Sequence, residues 1–291
     1  MKHSHQFSRI IAGAMTWGSW GKQFSEREMI DRMHQCLDFG LSTFDHADIY
    51  GGYTTEADFG RAFKESGIAR DRLQLISKCG IQYVCEGRDN KIKHYNYRSD
   101  YIIWSAEESL RNLKTDYLDL FLLHRPSPLM NPAEIAKAIE QLKKDGKIRH
   151  FGVSNFTPSQ VALISSLLVV EANQVEISLT SDGPMYDGTL DDCMIHNRIA
   201  MAWSPLGSYF KGEGEQQRRI REVLARFCEQ YNATEMQLLL AWLLKHPARI
   251  CPVVGTTDTN RLKESAEALQ IDLELEDWFE LTTAAKGHKV P

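Results

Sequence analysis

Four side chains able to hold or release a proton stand at or just past the ends of apolar runs in this chain. They are Asp45 and Tyr50 in FDHADIYGG (44–52), Lys78 in LISKCG (75–80) and His124 in LFLLHRP (120–126). A carboxylate, a phenol, an ammonium and an imidazole gathered in one cleft can pass protons to and from a reacting group. Taken singly, each has an ordinary reading: an acidic lip on a surface turn, a snorkelling lysine, a hydrogen-bonded core histidine. The elements that carry them decide between these readings.

Eight runs read as strands: 9–17, 42–47, 73–78, 117–124, 148–155, 172–178, 199–205 and 249–255. Amphipathic stretches of helical period lie between them, among them 25–40, 99–114 and 131–146. Ser25, Asn131 and Thr157 sit at cap positions, Pro132 and Pro158 in first turns, and Gly40 and Gly146 just past helix ends. Strands alternating with helices predict a parallel sheet with right-handed crossovers. Runs this apolar suit strands buried on both faces. An open doubly wound sheet is the rival architecture. Eight units without a Pro- or Gly-rich linker favour a single (β/α)8 TIM barrel over residues 1–291. Barrel enzymes build their sites at the C-terminal strand ends. Asp45, Lys78, His124, Ser154 and Asn155 fall there, with Gln174 on the sixth run, Trp203 near the end of the seventh and Gly255, Thr256 and Thr257 after the eighth. Lysine and histidine, each closing an apolar strand, should converge on one mouth with Asp45 and Tyr50.

Composition narrows the function classes. The chain has 291 residues, 43% hydrophobic and 25% charged, with a formal net charge of −5. These are ordinary globular values, and no basic stripe exists to attract a nucleic acid. No apolar run is long enough to span a membrane, and the N-terminal residues are too polar for a signal peptide. Six cysteines, at 36, 79, 85, 193, 228 and 251, form no C-x2-C pair and suit reduced thiols in a cytoplasm. No G-x-G-x-x-G follows a strand, and no phosphate loop of the G-x4-G-K type occurs. GVSNF (152–156) has Phe156 where a nucleophile elbow needs glycine. His46 and Asp48 form an H-x-D pair with no third metal ligand in view, which reads as packing rather than a metal site.

The ordered set FDHADIYGG, LISKCG, LFLLHRP, GVSNF, ANQVEIS and WSPLG, reaching from AMTWG (14–18) to TNRLKES (259–265), resembles the aldo-keto reductases. That resemblance implies a TIM barrel that binds NADP(H) without a Rossmann domain and reduces a small-molecule carbonyl. It assigns proton donation to Tyr50, with Lys78 lowering the tyrosine pKa and Asp45 holding the lysine. His124 would bond the substrate carbonyl. Ser154, Asn155 and Gln174 would grip the nicotinamide carboxamide while Trp203 stacks on the ring. Thr16 and Trp17 would touch the cofactor through backbone, and Ser204, Leu206, Gly207 and Ser208 would wrap the pyrophosphate. Gly255, Thr256, Thr257, Arg261 and Ser265 would hold the adenosine end, with Arg261 on a 2′-phosphate. Two positions depart from the family pattern: Gly255 stands where many members have lysine, and Ser265 where they have asparagine. Potassium-channel beta subunits share the fold as an interaction module, which is the alternative reading, although no obligate protein partner is evident in the sequence.

The segment 81–100 is far longer than a usual βα loop and carries Lys91, Lys93, His94, Tyr95, Tyr97 and Arg98. Few residues follow the last helical stretch, so this loop is expected either to wall the substrate pocket and favour anionic or polar carbonyls, or to lie solvated on the surface.

Overall fold

Eight parallel strands close into a barrel in the computed structural model, which describes residues 7–290. The polar N-terminal start, residues 1–6, and residue 291 lie outside the described residues. The barrel strands are β1 (Ile11–Gly13), β2 (Thr43–Asp45), β3 (Gln74–Cys79), β6 (Leu118–Leu123), β7 (Ile148–Ser154), β8 (Ala172–Glu176), β9 (Ile199–Trp203) and β10 (Cys251–Val254). Each pairs with the next in that order, and β10 returns to β1 through Ile11 opposite Val253. The closed (β/α)8 architecture expected from the alternation is thus present, and the doubly wound rival is not.

Helices form where the caps indicate. Ser25 and Glu28 make a reciprocal capping box at the start of Glu26–Asp38, and Thr157 with Gln160 does the same for Pro158–Ser165. The Asn131 side chain accepts from the Ala133 N–H ahead of Pro132–Lys144. Gly40 and Gly146, one residue past two C-caps, adopt φ +79° and +71°, where a side chain would be strained.

The strands are shorter than the apolar runs. The first run was expected to extend to residue 17, but the ladder stops at Gly13 and the chain turns, with the Trp17 N–H donating to the Ala14 carbonyl at 3.0 Å. Segment 81–100 is not an open loop either. It folds back as a hairpin of β4 (Ile81–Gln82) against β5 (His94–Tyr95), and the next helix begins at Ser99.

Strand periodicity then positions the site. Alternate residues point into the barrel, where Ile11, Ile76, Leu120, Leu122, Ala172, Met201 and Val253 form a dry layer. Two residues further along the same inward rows come Gly13, Lys78, His124, Gln174 and Trp203. Asp45 and Ser154, on the two neighbouring strands, reach the same level. Outward rows pack under the helices in two larger apolar clusters.

Candidate active site

Lys78 is the hub of the mouth. Its Nζ donates to Asp45 Oδ2 at 2.7 Å, to the His46 carbonyl at 2.7 Å and to the Tyr50 hydroxyl at 3.0 Å. All three donor directions of the ammonium are used. Asp45 takes its second bond from Gln174 Nε2 at 2.9 Å, across the barrel. Lys78 is 1% exposed and Asp45 2%, so the ion pair is dry and each charge depends on the other. The His124 ring lies edge-on to Tyr50, with centroids 6.1 Å apart.

Electrostatics refine the expected roles. Burial pushes the Tyr50 hydroxyl upward, and this outweighs the downward pull of the Lys78 charge, so its pKa lies above the ordinary tyrosine value. The lowered phenol expected from Lys78 is therefore not what the site shows. Tyr50 stays protonated at neutral pH, and its hydroxyl oxygen accepts from the Lys78 ammonium. For Lys78, burial acts downward, but the Asp45 and Tyr50 contacts prevail and raise its pKa. His124 is held well below the usual histidine value by desolvation and by the charges of Lys78, Arg125 and Lys93, so its ring is neutral. Its Nδ1 is buried without a partner, which leaves Nε2 for a ligand.

A cavity of about 1340 Å³ opens above these groups. That exceeds a usual single-ligand pocket and leaves room for a large ligand beside a small one. Asp45, Tyr50 and His124 line it, together with Thr16, Ser154, Asn155, Gln174, Trp203, Ser204, Leu206, Gly207, Gly255, Thr256, Arg261 and Ser265. Lys78 lies behind this surface and reaches it through Tyr50.

Several side chains are already engaged with one another. Ser154 Oγ donates to the Gln174 carbonyl at 2.8 Å, Asn155 Nδ2 donates to Ser154 Oγ, and Trp203 Nε1 donates to Asn155 Oδ1. Ser265 is buried, and its hydroxyl is spent on the Arg261 carbonyl within the same helix.

Besides Lys78, three expected residues lie outside the lining. The Trp17 indole packs against Phe24, Phe44 and Phe59, behind the barrel wall. Ser208 turns away, its N–H donating to Thr180 Oγ1 and its hydroxyl oxygen accepting from Gln217 Nε2. Thr257 sits one step further along the turn that leads to the Asp258 cap. His46 buries both ring nitrogens against Phe59 rather than pairing with Asp48, and no group of three metal-ligating side chains occurs among the described residues.

Other lining residues carried no recognised signal in the sequence: Met15, Trp20, Ile49, Arg125, Phe210, Lys211, Glu235, Met236 and Glu264. Arg125 follows His124 directly and could have been read from LFLLHRP. Glu235 begins a helix whose Thr234–Gln237 capping box is legible, although its approach to the mouth is not.

Two further buried carboxyls sit beneath the quartet. Glu56 accepts from Ser77 Oγ at 2.5 Å, and burial lifts its pKa to about 7. Asp48 accepts from Ser105 Oγ at 3.1 Å and is lifted to about 8, first by burial and then by Glu56. A carboxyl whose folded pKa is raised stabilises the fold below its unfolded pKa, and that contribution is lost as pH rises through the folded value. Stability should therefore decline between pH 5 and pH 8. Glu56→Gln, which cannot ionise, is expected to remove about 2 kcal/mol of that decline. Urea unfolding at the two pH values checks it; an undiminished decline would show that Glu56 does not titrate in this range.

A closed barrel with Asp45, Tyr50, Lys78 and His124 gathered at the C-terminal mouth has the layout of a barrel enzyme. The model of the aldo/keto reductase family matches residues 9–286, and the chain belongs to that family of oxidoreductases. Oxidoreductase YdhF of Escherichia coli (strain K12) is 42% identical over 289 residues, which is 98% of this chain and 96% of that protein. The 6-dehydroglucose reductase of Agrobacterium fabrum is 37% identical over 291 residues, 98% and 96% of the two chains. Among solved structures, an aldo/keto reductase from Klebsiella pneumoniae in complex with NADP and acetate has TM-score 0.78 at 28% identity, covering 98% of this chain and 93% of that one. No helix among the described residues is long and apolar enough to cross a membrane.

Proposed function

We infer that this chain is an NADP(H)-dependent reductase of aldehydes or ketones, with Tyr50 as the proton donor. The observation that carries the reading is the Asp45–Lys78–Tyr50 chain of bonds, ending in a protonated hydroxyl beside a neutral His124 at a cavity wall.

The residues present fit a nicotinamide dinucleotide. The trough runs from the quartet, past Trp203 and the Ser204–Gly207 turn, to Arg261 on the helix Thr259–Glu267. Gly207 has φ +54°, and a Cβ there would come within 2.0 Å of Thr180 Oγ1, so backbone alone forms that wall. A Cβ at Gly255 would meet no atom within 4 Å, which leaves that wall open to a ligand. When bound, NADPH supplies the hydride that reduces the carbonyl carbon.

The chain's own groups manage the oxygen. His124 Nε2, as the protonated nitrogen of a neutral ring, donates to the carbonyl oxygen and orients it. Tyr50 then gives that oxygen its proton, and Lys78 stabilises the phenolate left behind. Asp45 keeps the ammonium charged and aimed. Because Gln174 Nε2 is committed to Asp45, its Oε1 is the atom left to accept from a carboxamide.

Arg261 shares the far end of the trough with Glu264, so nucleotide preference depends on which charge the ligand meets. Arg261→Ala is expected to weaken NADPH binding by ~1.5–3 kcal/mol, the worth of a charge-assisted bond to a 2′-phosphate, and to leave NADH nearly unaffected. Fluorescence titration with both nucleotides checks this, and equal losses would refute the phosphate role. The reductase reading itself is tested by NADPH oxidation against a panel of aldehydes, ketones and dicarbonyls. Absence of turnover across the whole panel would contradict it.

A further inference from the structure

The hairpin after β3 is pinned at its base, and although its residues 91–95 are exposed, Ile81, Tyr83, Lys93 and Tyr95 line the cavity. Tyr97 locks both ends of its base. Its hydroxyl donates to the Arg125 carbonyl at 2.5 Å and accepts from the Arg125 N–H at 3.2 Å. Gly80 makes this possible, because a Cβ there would lie 2.0 Å from the Tyr97 ring. Further along, Tyr53 donates to the Ile81 carbonyl and accepts from the Tyr83 N–H, and Arg88 lies 3.9 Å over the Tyr53 ring. The Trp20 ring meets Tyr83 edge-on at 5.4 Å.

Two cations project from this clamped unit into the cavity, Lys93 from the hairpin and Arg125 from the end of β6. The Arg125 guanidinium lies 5.3 Å over the Trp203 ring. Neither cation has a carboxylate partner among the described residues. At this end of the trough the lining carboxylate is Asp45, which is consumed by Lys78 and Gln174. Both cations line the same cavity as His124, and their charges, after burial and Lys78, help to lower its proton affinity. An unpaired pair of cations on a fixed frame is a ready partner for an anionic oxygen group. Lys91 and Arg98, also basic in this segment, do not line the cavity. Lys91 is exposed, and Arg98 pairs with Asp100 at the surface.

Resting on the reductase reading, we propose that Lys93 and Arg125 select carbonyl substrates bearing an anionic carboxylate or phosphate group, held on the hairpin side of His124.

The test compares 4-carboxybenzaldehyde and 4-formylphenyl phosphate with neutral methyl 4-formylbenzoate. Wild-type kcat/KM is expected to favour at least one anion by about tenfold or more, the fold-change expected for one charge-assisted hydrogen bond. Which anion gains more identifies the group recognised. Lys93→Ala and Arg125→Ala should each shrink that preference through KM, Lys93→Arg should restore it, and Lys91→Ala should leave it as in wild type. Calorimetric binding of 4-(hydroxymethyl)benzoate against its methyl ester reads the same charge selection without turnover. The reductase reading can therefore fail while this one is still decided. Equal kcat/KM for charged and neutral aldehydes, or a preference that survives both alanine substitutions, would overturn the proposal.

Discussion

Tyr50→Phe is expected to lower kcat at least ~100-fold while NADPH still binds, because only the proton donor is removed and general acid catalysis is worth about that much. The ring can keep its place against Trp20 and His124, since those contacts are aromatic rather than polar. Lys78 keeps its bonds to Asp45 and the His46 carbonyl. Steady-state kinetics beside a nucleotide titration separates the two effects. A phenylalanine variant with more than about half the wild-type rate would remove Tyr50 from the role of acid.

The second large effect concerns stability. Lys78→Met strips the partner from a buried carboxylate, and Asp45 retains Gln174 Nε2 as its one side-chain donor. Breaking a buried pair from one side costs about 3–5 kcal/mol, because an uncompensated charge remains in a dry site. Lys78→Met combined with Asp45→Asn takes away that charge and should recover most of the loss. Turnover stays low in both, since the ammonium that stabilises the Tyr50 phenolate is absent. Urea unfolding of the three proteins settles the comparison. A loss below ~1 kcal/mol in the single variant, or no recovery in the double, would mean that the pair does not behave as a dry ion pair.

The barrel was legible in the sequence because strand and helix periods are local properties. Runs such as LFLLH and IRHFGVS announce strands buried on both faces, and Ser25–Glu28 and Thr157–Gln160 mark helix starts within four residues. Position at a strand end was enough to single out Asp45, Lys78, His124 and Ser154. What a single strand cannot encode is register against strands far away in the chain. The bond from Gln174 Nε2 to Asp45 joins residues 129 apart, and nothing in ANQVEIS shows that this amide is already committed. The first strand's length was misread for a related reason: an apolar run reads as strand until its end, whereas here the Trp17 N–H bonds back to Ala14 and the ladder stops at Gly13. The Tyr50 pKa depends on a contest between burial and a neighbouring charge, and sequence reveals the charge but not the burial. Arg125 escaped notice beside a more conspicuous histidine, while Arg98, equally basic, points to solvent and pairs with Asp100.

Reduction of an aldehyde with NADPH deuterated at the reactive nicotinamide carbon tests the proposed chemistry at its centre. Mass spectrometry of the alcohol is expected to find one deuterium on the carbinol carbon, and Tyr50→Phe is expected to suppress formation of that labelled product. Alcohol formed without the label, or labelled alcohol made at an undiminished rate by the Tyr50→Phe variant, would contradict hydride transfer with Tyr50 as the proton donor.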